Sequence, residues 1–252
     1  MEDFEYYMKN NKVKAIVLQV DSPGGSVVSC EEAFSYLKEL KEKYNKPIIA
    51  SFRGVAASGG YYLAMIADKI YANETTLTGS IGVISQFINV SELIQAIGIK
   101  NYTIKSGKNK DSFSPFRAPR EDEIAYWQSM TDEFVAQFTN VVLTSRGDRI
   151  KGNYSELFDG RVFSGKSAQK YGLVDNIGTL RDAIKDAAEM VNLNAEEPNI
   201  ITKPVNKSNI LNYLLAKAPM INTSFKYPYE EIINGQYIGV PMYLYIPNYI
   251  GE

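Results

Sequence analysis

Ser58 stands in Val55-Ala-Ala-Ser-Gly-Gly60, a run of small residues directly after the apolar stretch Ile48–Phe52. Small neighbours let a backbone turn sharply at the end of a strand. They can leave one hydroxyl at a helix N-terminus, among free amides that favour developing negative charge. The same composition also suits an ordinary close strand–helix turn. Gly24 and Gly25 close a second turn, Asp21-Ser-Pro-Gly-Gly, after the apolar run Val13–Val20. Glycine lets an N–H reach a ligand oxygen with no Cβ in the way. Open α/β sheets place their sites at the carboxyl ends of parallel strands. The two turns together could offer two amide donors and a hydroxyl to one carbonyl carbon.

A serine nucleophile needs a base, and the chain has no histidine and a single cysteine, Cys30. Ser-His-Asp and Cys-His mechanisms are therefore excluded within this chain, as are imidazole and thiolate zinc sites. Lysine is the usual substitute. Its reference pKa of about 10.4 must be lowered by burial or nearby positive charge before it can accept a proton near neutrality. Lys105, Lys108 and Lys110 are the candidates, and spacing alone does not choose among them.

The surrounding pattern alternates strands and helices. Val13–Val20 and Ile48–Phe52 read as strands buried on both faces. Cys30–Tyr44 carries Ala33, Phe34, Leu37 and Leu40 at helical spacing, and Pro47 closes it. The turn at Gly54–Gly60 leads into a helix to about Ala67. Lys69–Ala72, Ser80–Ile84 and Asn101–Lys105 read as short strands, and Val90–Ile97 as a helix. One long helix spans about Arg120–Arg146, with Trp127, Met130, Phe134 and Phe138 on its apolar side. Ser164–Tyr171 and Thr179–Val191 complete the helical set. Such alternation implies βαβ units and a mostly parallel sheet.

The 252 residues include 27 bases and 29 acids, a net charge of −2. That balance argues against nucleic acid as a partner, which usually needs a basic face. The apolar fraction of 45% and charged fraction of 22% are those of a globular protein and exclude general disorder. No segment reaches the roughly 18 apolar residues of a membrane span. The chain itself is expected to be soluble.

Taken in order, several segments are similar to the signal peptide peptidase A family. They are Asp21-Ser-Pro-Gly-Gly-Ser26, Ala57-Ser-Gly-Gly-Tyr-Tyr62, Ala67-Asp-Lys-Ile70, Leu77-Thr-Gly-Ser-Ile-Gly-Val83, Lys105-Ser-Gly-Lys-Asn-Lys-Asp111 with Ser114-Pro115, Asp159-Gly-Arg-Val-Phe163, Gly165-Lys166 and Gly172-Leu-Val-Asp175. The resemblance runs from about residue 10 to 190. It implies an α/β Clp-protease/crotonase-like fold and an ATP-independent serine endopeptidase with a Ser-Lys dyad and no cofactor or metal. By motif, Ser58 would be the nucleophile and Lys110 the base. Ser80 would orient the lysine, and the N–H groups of Gly25 and Gly59 would form the oxyanion hole. Remnant signal peptides and similar extended hydrophobic peptides would be the substrates. A homo-oligomer with subunits meeting around the active sites, and association with the bacterial cell envelope, are also implied. Family members usually carry an N-terminal anchor and an extra strand ahead of the Asp-Ser-Pro-Gly-Gly strand.

Other readings of the same residues are a crotonase-like acyl-CoA enzyme, which would need carboxylates at the site, and a non-catalytic assembly or binding protein on this scaffold. An aspartic-protease loop at Asp21-Ser22 lacks the expected glycine and a second copy. Residues 1–194 read as the peptidase domain and 195–252 as an extension punctuated by proline and rich in Asn and Tyr. Within it, Tyr237–Ile250 holds no charge, and Val240–Tyr245 is apolar, aromatic and extended. The ending resembles the Met-Tyr-Leu-Tyr tail of Gram-positive family members. The resemblance implies that it occupies the substrate groove of its own or a neighbouring subunit. Capping a sheet edge is the alternative.

Overall fold

The computed structural model describes residues 2–202 and the backbone strand 242–244. In chain order the elements are α1 (Glu2–Lys9), β1 (Ile16–Ser22), β2 (Gly24–Ser26), α2 (Val27–Tyr44), β3 (Ile48–Ala57), α3 (Gly59–Ala64), β4 (Lys69–Ala72) and β5 (Leu77–Gly79). They continue with α4 (Ser91–Ala96), α5 (Glu121–Arg146), α6 (Tyr154–Leu157), β6 (Val162–Ser164), α7 (Gly165–Lys170), β7 (Asn176–Ile177), α8 (Leu180–Met190) and β8 (Met242–Leu244).

β3 is the hub of the main sheet. Its first five residues, Ile48–Phe52, are all buried, as a strand covered on both faces requires. Ile48, Ala50 and Phe52 enter the larger core beside α2 and α3, while Ile49 packs on Ala183 and Ala187 of α8. The small side chains of α8 let its backbone lie close to the strand. β3 pairs in parallel with β1 along one edge, and with β4 and then β5 along the other. β4 pairs in parallel with β7, and β5 antiparallel with β6. The mixed α/β sheet built from parallel crossovers is the expected class.

Local chemistry sets the element ends. Asn45 adopts the left-handed conformation that closes α2, just ahead of Pro47. Thr179 and Asp182 form a capping box at the start of α8. At the end of α5 the buried Arg146 donates to Asp175 at 2.7 and 3.0 Å and to the Gly172 carbonyl. Asp175 also accepts the Ile70 amide, so the pair locks α5 to β4.

Several elements differ from the reading of the sequence. The strand expected at 80–84 lies at Leu77–Gly79, because Gly79 and Ser80 both take positive φ and turn the chain out of the sheet. Asn101–Lys105 forms no strand, and its Tyr102 and Ile104 are fully solvent-facing, with relative exposures of 83% and 101%. α1 was not anticipated; its Met8 is buried in the core, and Phe4 and Tyr7 pack against it. The apolar side of α5 is buried only toward its end, at Phe138 and Val142, while Ile124 and Tyr126 face outward. Among the described residues no helix is long and apolar enough to cross a membrane.

Candidate active site

Ser58 links the end of β3 to the start of α3 with φ 52° and ψ −120°, a conformation that non-glycine residues avoid. Two backbone bonds hold it there. Its N–H donates to the Gly79 carbonyl at 2.8 Å, and its carbonyl accepts the Tyr62 amide at 2.8 Å. α3 is fixed in turn by the buried Tyr61, whose hydroxyl donates to the Leu173 carbonyl at 2.7 Å. Ser58 is completely buried, yet its Oγ has no hydrogen-bond partner among the described residues. A buried hydroxyl without a partner is a rare and costly state. It fits a group whose partners arrive with a substrate or another chain.

The glycines of the two turns pack closely. A Cβ on Gly59 would lie 3.0 Å from the Gly25 nitrogen, 3.2 Å from the Gly24 Cα and 2.5 Å from the Cys30 Sγ. The backbones of Gly25 and Gly59 therefore run side by side with no room for a side chain between them. A Cβ on Gly60 would come within 2.8 Å of the Ser22 carbonyl oxygen, so the third glycine is required by close strand packing. Cys30, on α2, is buried beneath the pair, and burial pushes its thiol up to about 11. It is thus a neutral packing group rather than a nucleophile. Spacing in the sequence gave no sign of this third member of the glycine layer.

Ser80 follows Gly79, the residue whose carbonyl holds Ser58, and is itself buried with φ 50°. Its N–H donates to the Arg161 carbonyl at 2.9 Å. It lies in the wall of an open cavity of about 380 Å³ that also borders Gln128, Asp132 and Asp159. Ser58, Gly59, Gly25 and Ser80 thus gather at the carboxyl ends of β1, β3 and β5.

Lys110 is not joined to them by any hydrogen bond among the described residues. It sits exposed on the turn 105–117 ahead of α5. The structure does separate the three candidate lysines. Lys105 pairs with Asp111 at 2.6 Å and Lys108 with Asp122 at 2.8 Å, whereas no ion pair holds Lys110 among the described residues. An ammonium committed to a carboxylate is not at liberty to reach another group. The turn itself is firmly built. Phe113, at φ 53°, stacks on Phe87 with ring centroids 4.1 Å apart, and Trp127 meets both rings edge-on. On the polar side, Arg117 lies between Asp111 and the buried Glu123.

Hydrogen bonding by Arg117 lowers Glu123 from an ordinary 4.5 to about 2, and Arg117 and Lys105 together hold Asp111 well below the usual carboxylate range. A depressed carboxylate stabilises the fold fully above its unfolded pKa and loses that contribution as pH falls through the folded value. The turn 105–117 is therefore expected to stay closed above pH 4.5 and to open between pH 4.5 and about 2. Hydrogen-exchange mass spectrometry of peptides from this turn across that range checks it. Protection that is already lost at pH 6 would contradict the assignment.

The model of peptidase family S49 matches residues 40–194. The chain belongs to peptidase family S49. A candidate protease of Synechocystis is 37% identical over 195 residues, covering 77% of this chain and 69% of that one. The chloroplastic serine protease SPPA of Arabidopsis thaliana is 34% identical over 194 residues, 77% of this chain and 28% of that one. Protease 4 of Haemophilus influenzae is 35% identical over 186 residues, 73% and 29% respectively. The chain thus spans well under half the length of the latter two. The S49 family and these names support a serine protease on a Clp-protease/crotonase-like fold, and the acyl-CoA alternative is not favoured. Among the described residues of this S49 chain, no group of three or more Cys, Asp or Glu converges as a metal site would require.

Proposed function

We propose that the protein is an ATP-independent serine endopeptidase with Ser58 as nucleophile, Lys110 as base and the Gly25 and Gly59 amides as oxyanion donors. The observation that carries this reading is the buried Ser58 hydroxyl, unpartnered among the described residues and adjoining Gly59, whose backbone lies against that of Gly25. Ser58 Oγ attacks a peptide carbonyl carbon as its proton passes to Lys110 Nζ, and the amides stabilise the oxyanion. Collapse breaks the C–N bond, and the leaving amine takes the proton from the lysine. A water molecule then gives its proton to Lys110 and attacks the acyl-enzyme, releasing the acid and restoring Ser58. Ser80 accepts or donates to the lysine and aims it. A serine-directed fluorophosphonate tests the assignment. Mass spectrometry should find the adduct on Ser58, and an adduct only on another serine would sink the reading.

The base is supplied by a neighbouring copy of the chain. Lys110 is exposed and, among the described residues, free of ion pairs, and the segment around it carries Ile88, Leu93, Ile97, Tyr102, Ile104 and Phe116 in the open. Apolar surface of that extent usually marks an interface. A lysine base also needs desolvation, which another surface can provide. The substrates are remnant signal peptides and similar extended hydrophobic segments, met at the bacterial cell envelope.

The chain's own tail occupies the substrate strand position. This draws support from β8, which pairs antiparallel with β2 so that Tyr243 faces Gly25 across the ladder. Extended peptides commonly bind by adding a strand in this way. The flanking tail residues, including those of Val240–Tyr245 outside 242–244, lie outside the described residues. Deleting residues 236–252 is expected to give a folded protein that cleaves short peptides several-fold faster, measured as kcat/KM. A folded product with an unchanged rate would refute self-inhibition, and an aggregated one would favour a structural role.

A further inference from the structure

We propose that Glu123, acting through Arg117 and Asp111, is a positioning residue for the lysine base; this rests on the reading of Lys110 given above. Glu123 occupies the first turn of α5, and its side chain is fully buried. It accepts the Arg120 backbone amide at 3.0 Å, as a capping-box glutamate does. Capping does not require burial, and this carboxylate receives more. Arg120 Nη1 lies 2.6 Å from it, and Arg117 donates to it through both Nη1 and Nη2.

The same Arg117 guanidinium turns its other edge to Asp111. Nε donates to Oδ2 at 3.0 Å, and Nη2 to Oδ1 at 3.0 Å and to the Asp111 carbonyl at 2.8 Å. Asp111 is the residue bonded directly to Lys110, and it also accepts from Lys105. A planar guanidinium fork fixes both of its partners in direction as well as distance. The start of α5, the longest helix described, thus sets the backbone on the carboxyl side of Lys110, while the lysine side chain stays free.

The arrangement has a second effect. Asp111, Asp122 and Glu123 are each engaged by Arg117, Arg120, Lys105 or Lys108, so none of these three pairs with Lys110. Burying ions is costly and is weak evidence for stability as such. A network that fixes one direction and ties these three acids to other cations is better explained by the aim of the lysine.

Glu123→Gln keeps the size and one acceptor oxygen but removes the charge. With the intact chain and a peptide substrate, kcat is expected to fall about 10- to 100-fold, as for a misplaced catalytic group, while KM stays within about twofold. The second measurement repeats the substitution in a Lys110→Ala background, read with an activated ester whose leaving group needs no proton. There Glu123→Gln should cost nothing further. An additional loss in that background would mean a general structural role and overturn the proposal, as would wild-type kcat in folded Glu123→Gln. If Glu123→Gln does not fold, Arg117→Lys replaces it, because it keeps the charge and loses the fork; the same outcomes decide. Full peptidase activity in Lys110→Ala alone would instead remove the base assignment, a failure distinguishable from that of Glu123.

Discussion

Ser58→Ala and Lys110→Ala are each expected to lower kcat for peptide cleavage by at least about 10⁴-fold, and the double variant to be scarcely worse, because nucleophile and base act as a unit. Lys108→Ala should keep most activity, since its ammonium is committed to Asp122. That no hydrogen bond joins Lys110 to Ser58 among the described residues adds a sharper expectation. Mixing the two dead variants under conditions that exchange subunits should restore activity. Sites that draw Ser58 from one variant and Lys110 from the other recover both groups. With random assembly of a repeated interface this reaches about a quarter of the wild-type rate. Steady-state kinetics on the mixture, with each variant alone as control, makes the measurement. No recovery after demonstrated exchange would place both groups of each site in one chain.

Gly59→Ala is expected to fold but to lose about 10²- to 10³-fold in kcat, the loss typical of one oxyanion donor. The reason is steric. The new methyl would meet Cys30 Sγ at 2.5 Å, the Gly25 nitrogen at 3.0 Å and the Gly24 Cα at 3.2 Å. The sulfur is the one of these at a side-chain tip, so relief there is easy. The Gly25 backbone must also give way, and with it the amide proposed as an oxyanion donor. Adding Cys30→Ala should therefore recover thermal stability without recovering kcat. Recovery of both would mean that Cys30, rather than the amide pair, governs the site. Thermal unfolding and kcat measured on the single and double variants separate the two.

The sequence displayed the surroundings of Ser58 well, because they depend on local chemistry. A strand, a run of small residues and a helix are read from spacing alone, and β3, Ser58 and α3 follow that order. α2, α5 and α8 were legible for the same reason, their apolar periodicity being strong. Legibility failed where a partner decides the outcome. Tyr102 and Ile104 alternate like a strand, but no neighbouring strand among the described residues meets them, so no ladder forms. Ile81 and Val83 look like strand residues, yet two positive φ values immediately before them end the sheet at Gly79. The Arg117–Glu123 contact was equally invisible. Five residues of irregular chain and helix start separate the two, and nothing in that spacing says that a guanidinium will bridge them. Spacing left Lys105, Lys108 and Lys110 alike, because the ion pairs of Lys105 with Asp111 and Lys108 with Asp122 depend on how the turn folds.

Ser58 occupies backbone space that glycine enters freely and other residues resist. Ser80 does the same one strand away, where its φ is 50°. Each hydroxyl is kept against a standing pull toward a residue that would fold more comfortably. Mutation alone would erode both positions to glycine, and folding would not object. The strain therefore works as a record of selection. In a lineage that no longer needed cleavage, these two serines would be among the first residues to go, while the strands and helices around them remained.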